Sequence, residues 1–296
     1  MNFFVTGATG FIGRAFCRTA IERGHRVLAL CRSSIPALPV EIEIVTGTLS
    51  ETPWAQVARF SPDAALHLAW IATPGVYLTS PDNEVWLEHS KVWFRRLQEM
   101  GVRHIAGAGT CIEYAASPEP LSEMTSPLNP SFRYSKSKVA LFQSLREGCV
   151  GSGSAFTWFR VFYPFGVGEH PDRICSSIIR QLRAGKNLAL RTPHSVKDYI
   201  YIDDVASAIC AAFENKLTGP INIGSGHGIS IRELAQKIAY LLHEDPALVQ
   251  NATELCGDPN PIVIANNQLL RSVGWCPRTN LDEGLQRLID SLPAKD

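Results

Sequence analysis

Two hydrophobic periods alternate along this chain. Asn2-Phe3-Phe4-Val5-Thr6 is a short, almost continuously apolar run, as expected of a strand buried on both faces. From Phe11 to about Arg23 the apolar spacing lengthens to that of a helix, and Gly24 supplies a stop. His25–Cys31 is a second apolar run, so the N-terminal segment predicts one β-α-β unit. Further strands are predicted at Glu41–Val45, Ala64–Ala69, Val102–Ala108 and Ala155–Val161. Helical periodicity covers Asp82–Met100, ended by Gly101, and Phe132–Glu147. Strands alternating with helices imply an α/β fold, a Rossmann-type doubly wound parallel sheet with right-handed crossovers.

Beyond Val161 the pattern is cut into shorter pieces by Pro164, Gly166, Gly168, Pro171, Pro193 and Pro220. Helical stretches remain near Ser176–Ala184, Asp203–Glu214, Ile231–His243 and Leu281–Asp290. The expected organisation is a Rossmann domain over residues 1–161. A small C-terminal α/β lobe, woven onto the first domain, takes residues 162–296.

Composition narrows the class. Of 296 residues, 45% are hydrophobic and 19% charged, enough apolar material for a packed core. Lys+Arg and Asp+Glu balance at 28 each, without the basic excess that nucleic-acid binding favours. The eight cysteines form no Cys-x-x-Cys pair and show no zinc-type spacing with His, so no metal site is expected. They read as reduced thiols of a cytoplasmic protein. No basic segment followed by a long apolar stretch opens the chain, and no run approaches the ~20 apolar residues of a membrane helix. Neither export nor membrane insertion is therefore expected.

Candidate chemistry begins at the first turn, Thr6-Gly7-Ala8-Thr9-Gly10-Phe11-Ile12-Gly13. Its glycines are spaced G-x-x-G-x-x-G between a predicted strand and helix. Gly7 permits the tight turn, Gly10 the close approach of a pyrophosphate, and Gly13 close packing of helix on sheet. The helix start offers N–H groups and the positive end of its dipole. The second strand ends in Leu30-Cys31-Arg32-Ser33-Ser34, with no carboxylate to hold ribose hydroxyls. Arg32 can instead face a 2′-phosphate, which favours NADP(H) and leaves NAD(H) as the alternative.

Tyr134 and Lys138 stand four apart and would share one helix face. A nearby ammonium would lower the phenol from about 10 toward working pH, fitting Tyr134 to exchange a proton with a carbonyl or alcohol oxygen. Lys138 would also hold the nicotinamide ribose, while Lys136 would point to solvent. Thr110, at the carboxyl end of a strand, lies where ligands of open α/β sheets gather and can hydrogen-bond the same substrate oxygen.

Thr6–Gly13, Thr110 and the Tyr134/Lys138 pair resemble the extended short-chain dehydrogenase/reductases, the NAD-dependent epimerase/dehydratase family. Further segments carry the resemblance through nearly the whole chain: His67-Leu68-Ala69, Arg160–Gly166, Lys197–Ala206, Ile221–Gly226 and Gly274-Trp275-x-Pro277. It implies that Leu68, Ala69 and Phe162 line the cofactor and that Tyr163 and Lys197 meet the substrate. Lys197 stands where the family's pyrophosphate-binding Arg usually is, and Arg173 and Arg180 follow on a helical stretch that could assist. The usual Arg of the last substrate loop is not evident around Gly257–Pro261.

Family members that eliminate water follow the threonine with Asp-Glu. Here Cys111-Ile112 follow, and Glu113, in a strand-like extension, would face away. The form Phe162-Tyr163-Pro164 resembles nucleotide-sugar 4-ketoreductases. The implied activity is NAD(P)H-dependent reduction of a keto group, at C4, on a nucleotide-activated sugar. A 4-epimerase with tightly bound NAD is the first alternative, and a non-catalytic NADP-binding sensor or scaffold the second. The resemblance also implies a homodimer built from the two helices Asp82–Met100 and Phe132–Glu147, with Trp86, Trp93 and Phe94 either at that interface or in the core.

Overall fold

The computed structural model describes residues 1–33 and 38–293. Ser34, in the segment read for cofactor choice, lies outside the described residues. A seven-stranded sheet forms the centre. Its strands in chain order are β1 (Asn2–Thr6), β2 (Arg26–Cys31), β3 (Glu43–Thr46), β4 (Ala64–His67), β5 (His104–Thr110) and β6 (Ala155–Val161), then Gly219–Ile223. The spatial order is Gly219–Ile223, β6, β5, β4, β1, β2, β3, and every pairing is parallel. The order reverses between β4 and β1, the switch point where the connections leave toward opposite faces and a crevice opens.

Both faces are covered, which is why β1 reads as a nearly unbroken apolar run. Phe3 and Val5 enter one core with Phe16 of α1 (Phe11–Glu22) and Phe213 of the helix Ile202–Glu214. Phe4, on the opposite face of the same strand, joins Trp93 and Leu97 of α3 (Asp82–Glu99) and Leu141 of α4 (Arg133–Cys149), while α2 (Trp54–Phe60) adds Val57. Trp93 is 0% and Phe94 2% exposed, both within this core. They are therefore internal packing residues rather than candidates for a subunit interface, and Trp86 packs against them.

The chain past residue 161 contributes to both layers. The strand Gly219–Ile223 completes the central sheet beside β6, and the helix Ile202–Glu214 lies on α1. The remainder builds a second sheet from Tyr163–Phe165, Val196–Tyr201, Gly228–Ser230 and Ile262–Val263 over the carboxyl ends of the first. Among the described residues, no helix is long and apolar enough to cross a membrane.

A buried polar cluster joins β5, β6 and the last strand. Glu113 lies in a 3₁₀ turn, not in the extended segment expected, because its carboxylate accepts the Thr110 N–H at 2.9 Å and caps that turn. The same carboxylate accepts from Trp158 Nε1 at 3.1 Å and from Arg160 Nε at 2.9 Å. Arg160 continues to Tyr114 Oη, which donates to Asn222 Oδ1 at 2.8 Å. Gly109 makes room for the indole: a Cβ there would fall 2.1 Å from Trp158 Nε1 and 2.4 Å from Glu113 Oε1. Burial raises the Glu113 carboxyl against the pull of Arg160.

Removing one partner of such a pair strands the other, at a cost of about 3–5 kcal/mol. Glu113→Leu is thus expected to lose that much in urea unfolding. The double variant Glu113→Leu/Arg160→Met should lose less than Glu113→Leu alone. A double variant at least as unstable as that single variant would show that the pair is not held by mutual compensation.

Candidate active site

The site starts where β1 ends. Gly7 has φ +71°, and a Cβ on it would lie 2.6 Å from Ala69 N. A Cβ on Gly13 would lie 2.1 Å from Gly7 O. The turn, the α1 start and the chain leaving β4 therefore meet backbone to backbone. Gly10 begins α1 without a side-chain cap, and no acidic residue occupies the first helical turn. The early N–H groups of α1 have no intrahelical acceptor and suit an anion. A dinucleotide pyrophosphate fits this cradle on the chemistry of its donors and on the space the missing Cβ atoms leave. Ala8 differs from the rest of the turn: it is fully buried in the core and its side chain takes no part in the cleft wall.

A hydrogen-bond relay fixes the other side of the cradle. Ser90 Oγ donates to the Trp86 carbonyl at 2.6 Å, so it accepts from His67 Nε2 at 2.9 Å. His67 Nδ1 then accepts from Thr6 Oγ1 at 2.7 Å, and Thr6 Oγ1 accepts the Ala69 N–H at 3.3 Å. Every step is satisfied by one neutral tautomer of His67. Burial lowers the basicity of this imidazole well below its ordinary value, with the charge of Lys138 adding to the effect.

From this cradle a cleft of about 930 Å³ runs across the carboxyl ends of the strands. Thr6, Gly7, Thr9, Gly10, Phe11, Ile12 and Gly13 line one part of it. Arg32 lies at the β2 end with Thr48 and Ser50, two hydroxyls not singled out from the sequence; the signal was a Thr-x-Ser just past β3. Leu68, Ala69 and Phe162 line it too, as do Thr110, Tyr134 and Lys138. Thr110 closes β5, two residues further along than the predicted strand end. Cys111, next in the chain, is a buried thiol pushed up to about 12 by desolvation.

The start of α4 sets Tyr134. Ser135 Oγ accepts the Phe132 N–H at 3.2 Å, and the Tyr134 N–H reaches the Leu78 carbonyl at 3.1 Å. The Tyr77 ring stands edge-on to the Tyr134 ring, 4.9 Å between centroids, and the Arg173 guanidinium lies 5.6 Å from the Tyr77 ring centre. Lys136 is exposed, as its spacing predicted.

Electrostatics at Tyr134 differ from expectation. Its phenol is raised, not lowered: burial is the main cause, Tyr77 and Glu113 add to it, and Arg173 opposes. Lys138 is not among the main causes: its Nζ sits over the Trp70 ring, 3.9 Å from the centroid, and 5.7 Å from the centre of the Tyr134 ring. Burial pushes Lys138 itself down to about 7. Trp70 directly follows the His67-Leu68-Ala69 segment, but only the fold brings it to Lys138.

Tyr163, Lys197 and Arg173 also line the cleft. Lys197 is buried and already paired. Its Nζ contacts Asp258 Oδ2 at 2.8 Å and the Asn260 carbonyl, so it pins the loop 258–260 rather than offering a free charge. Arg173, by contrast, is half-buried at the start of the helix Ile174–Arg183 and faces the cleft. Arg180 is exposed and bonded to Asp172 at 2.9 Å.

The chain is similar to known proteins over nearly its whole length. The chain is 27% identical over 311 residues to a dTDP-4-dehydro-6-deoxyglucose reductase of Escherichia coli, covering 98% of this chain and 97% of that one. It is 25% identical over 304 residues to a UDP-glucose 4-epimerase of Corynebacterium glutamicum, covering 94% and 91%. A UDP-glucose 4-epimerase from Thermus thermophilus, solved in complex with NAD, superposes with a TM-score of 0.85 at 25% identity, over 98% of both chains. The model of the NAD dependent epimerase/dehydratase family matches residues 3–224, from the first strand to the turn after the last strand of the central sheet. With the glycine cradle, the switch-point cleft and the threonine, tyrosine and lysine on its wall, that match places this chain in the NAD dependent epimerase/dehydratase family, among the NAD(P)-dependent enzymes of the extended short-chain dehydrogenase/reductase type.

Proposed function

We propose that this enzyme reduces a keto group, at C4, on a nucleotide-activated sugar, with NADPH as the reductant. The observation that carries the reading is the common cleft. Thr110, Tyr134 and Lys138 line it together with the glycine turn and with Arg32 from the end of β2. When bound, the dinucleotide supplies the hydride.

The chain's own part is positioning and proton supply. The α1 start takes the phosphates, and Arg32 faces the ribose end. Thr110, held by Glu113 through its backbone, orients the substrate carbonyl. Tyr134 gives the proton that the new alcohol needs. A phenol raised by burial keeps that proton throughout the working range, which suits a donor in the reductive direction. Arg173 is the cation that steadies the tyrosinate left behind, and it also stands where an anionic group of the substrate would arrive. Lys197, spent on Asp258, is assigned to shaping the substrate loop.

Relatives of both reaction types support a nucleotide-sugar substrate: the reductase of Escherichia coli, the epimerase of Corynebacterium glutamicum, and a GDP-L-fucose synthase of Arabidopsis thaliana at 24% identity. The NAD-bound Thermus thermophilus neighbour favours the second reading, a 4-epimerase that retains NAD. The absence of a carboxylate from the described end of β2 favours the first. We further propose a homodimer through α3 and α4, since Val85 and Val92 on α3 are 55% and 56% exposed.

A panel of nucleotide-linked 4-keto-6-deoxy sugars with NADPH, followed at the nicotinamide absorbance, tests the reading. Net oxidation of NADPH is expected with at least one sugar. Purification with stoichiometric NAD and interconversion of 4-epimers without NADPH loss would establish the epimerase instead. Tyr134→Phe should lose about 10²- to 10⁴-fold in kcat while NADPH still binds; parental turnover would remove its proton-donor role. Arg32→Asp should weaken NADPH about 10- to 100-fold and spare NADH, read by equilibrium titration of both. Equal losses for the two cofactors would show that Arg32 does not meet a 2′-phosphate.

A further inference from the structure

Lys138 stands one helical turn from the proposed proton donor, yet an indole faces its ammonium. It is 2% exposed, and its Nζ is nearer the Trp70 ring than the Tyr134 ring, 3.9 against 5.7 Å to the centroids. That is well inside the ~6 Å reach of a cation–π contact, and desolvation strengthens such contacts. The indole is anchored independently of the lysine. Its Nε1 donates to Asn83 Oδ1 at 2.8 Å. The Asn83 amide nitrogen, fully buried, donates in turn to the carbonyls of Tyr77 at 2.7 Å and Ser80 at 2.9 Å. Trp86 packs beside it, 6.2 Å between ring centroids. Trp70 is thus a fixed plate on the cleft wall.

We propose that Trp70 is a positioning residue for Lys138, its indole face holding the ammonium, charged, on the cleft wall beside Tyr134. The effect on turnover rests on the proposed reduction with Lys138 holding the nicotinamide ribose; the seat itself does not.

The surroundings leave few other groups for this task. From the 3₁₀ turn after β5, Glu113 attracts the ammonium, but that carboxylate is already bonded to Arg160, Trp158 and the Thr110 N–H. From β4, His67 is neutral. From α4, Tyr134 keeps its proton, as does Tyr77 beside it. The other carboxylates lining the cleft are engaged elsewhere, Glu169 with the Gly166 and Ser176 N–H groups and Asp258 with Lys197, and His89 and Arg173 bring no negative charge. Burial pushes Lys138 down to about 7, so near neutral pH its charge is finely balanced. A base held below its ordinary value loses its proton as pH rises through the folded-state value. Removing the indole face favours the neutral amine and moves that loss to lower pH.

Lysine-selective ¹³Cε NMR of the cofactor-free protein reads this directly, with the Lys138 signal assigned by its disappearance in Lys138→Met. The wild-type midpoint is expected near 7. Trp70→Leu should lower it by about one pH unit or more, and Trp70→Phe by less than half as much, because a smaller π-face remains. Should Trp70→Leu fail to fold, judged by circular dichroism, Trp70→Met takes its place against Trp70→Phe. An unchanged midpoint in the aliphatic variant, or equal shifts in the aliphatic and Phe variants, overturns the proposal. The alkaline limb of kcat/KM should move in the same order. A midpoint that moves while the limb stays would keep the seat and overturn the part of Lys138 in turnover.

Discussion

The arrangement depends on how closely backbone can approach backbone at the end of the first strand. Three segments converge there: the turn after β1, the first turn of α1, and the chain leaving β4. Any side chain at Gly7 or Gly13 would occupy space already held by main-chain atoms. Because that closeness is possible, the two connections can leave the sheet toward opposite faces from neighbouring strands. The crevice between them opens directly onto the uncapped helix start. Anion binding and catalytic geometry thus share one origin, the reversal of strand order between β4 and β1.

Around the crevice, two buried hydrogen-bond systems give the wall its rigidity. The Thr6–His67–Ser90 relay ties β1 to β4 and α3, and the Glu113–Arg160 cluster ties β5 to β6 and the last strand. Neither places a charge in the cleft. His67 is neutral, and Glu113 is matched to Arg160 behind Thr110. Two of the cations lining the cleft are instead held by ring contacts, Lys138 by an indole and Arg173 by the Tyr77 ring. A rigid neutral frame with adjustable cations suits a reaction in which negative charge develops on one substrate oxygen.

What the sequence made legible was local. The β1 run, the glycine turn and the α1 period all lie within single elements or consecutive ones, and each stands in the fold as read; Tyr134 and Lys138 do share α4, but the lowered phenol expected of their spacing is raised instead. Residues whose role depends on a distant partner were not legible. Lys197 meets Asp258 across 61 residues of chain, and no local pattern marks that pairing. Lys138 meets Trp70 across two elements, so spacing on its helix pointed only to Tyr134. Trp93 and Phe94 fit an interface and a core equally well by period, and burial in the monomer decided for the core. Glu113 was read as part of a strand-like extension after Thr110. Capping of Thr110 by its own carboxylate bends the chain there instead.

The central claim is that this cleft carries out net hydride delivery to a sugar carbon beside Tyr134. Its most direct test is to supply NADPH bearing deuterium at the transferable C4 position together with a 4-keto nucleotide sugar, and to locate the label in the product by NMR and mass spectrometry. The account predicts one deuterium on the sugar C4 for each NADPH oxidised. Product that is unlabelled, or inverted at C4 with the NADPH intact, would contradict it.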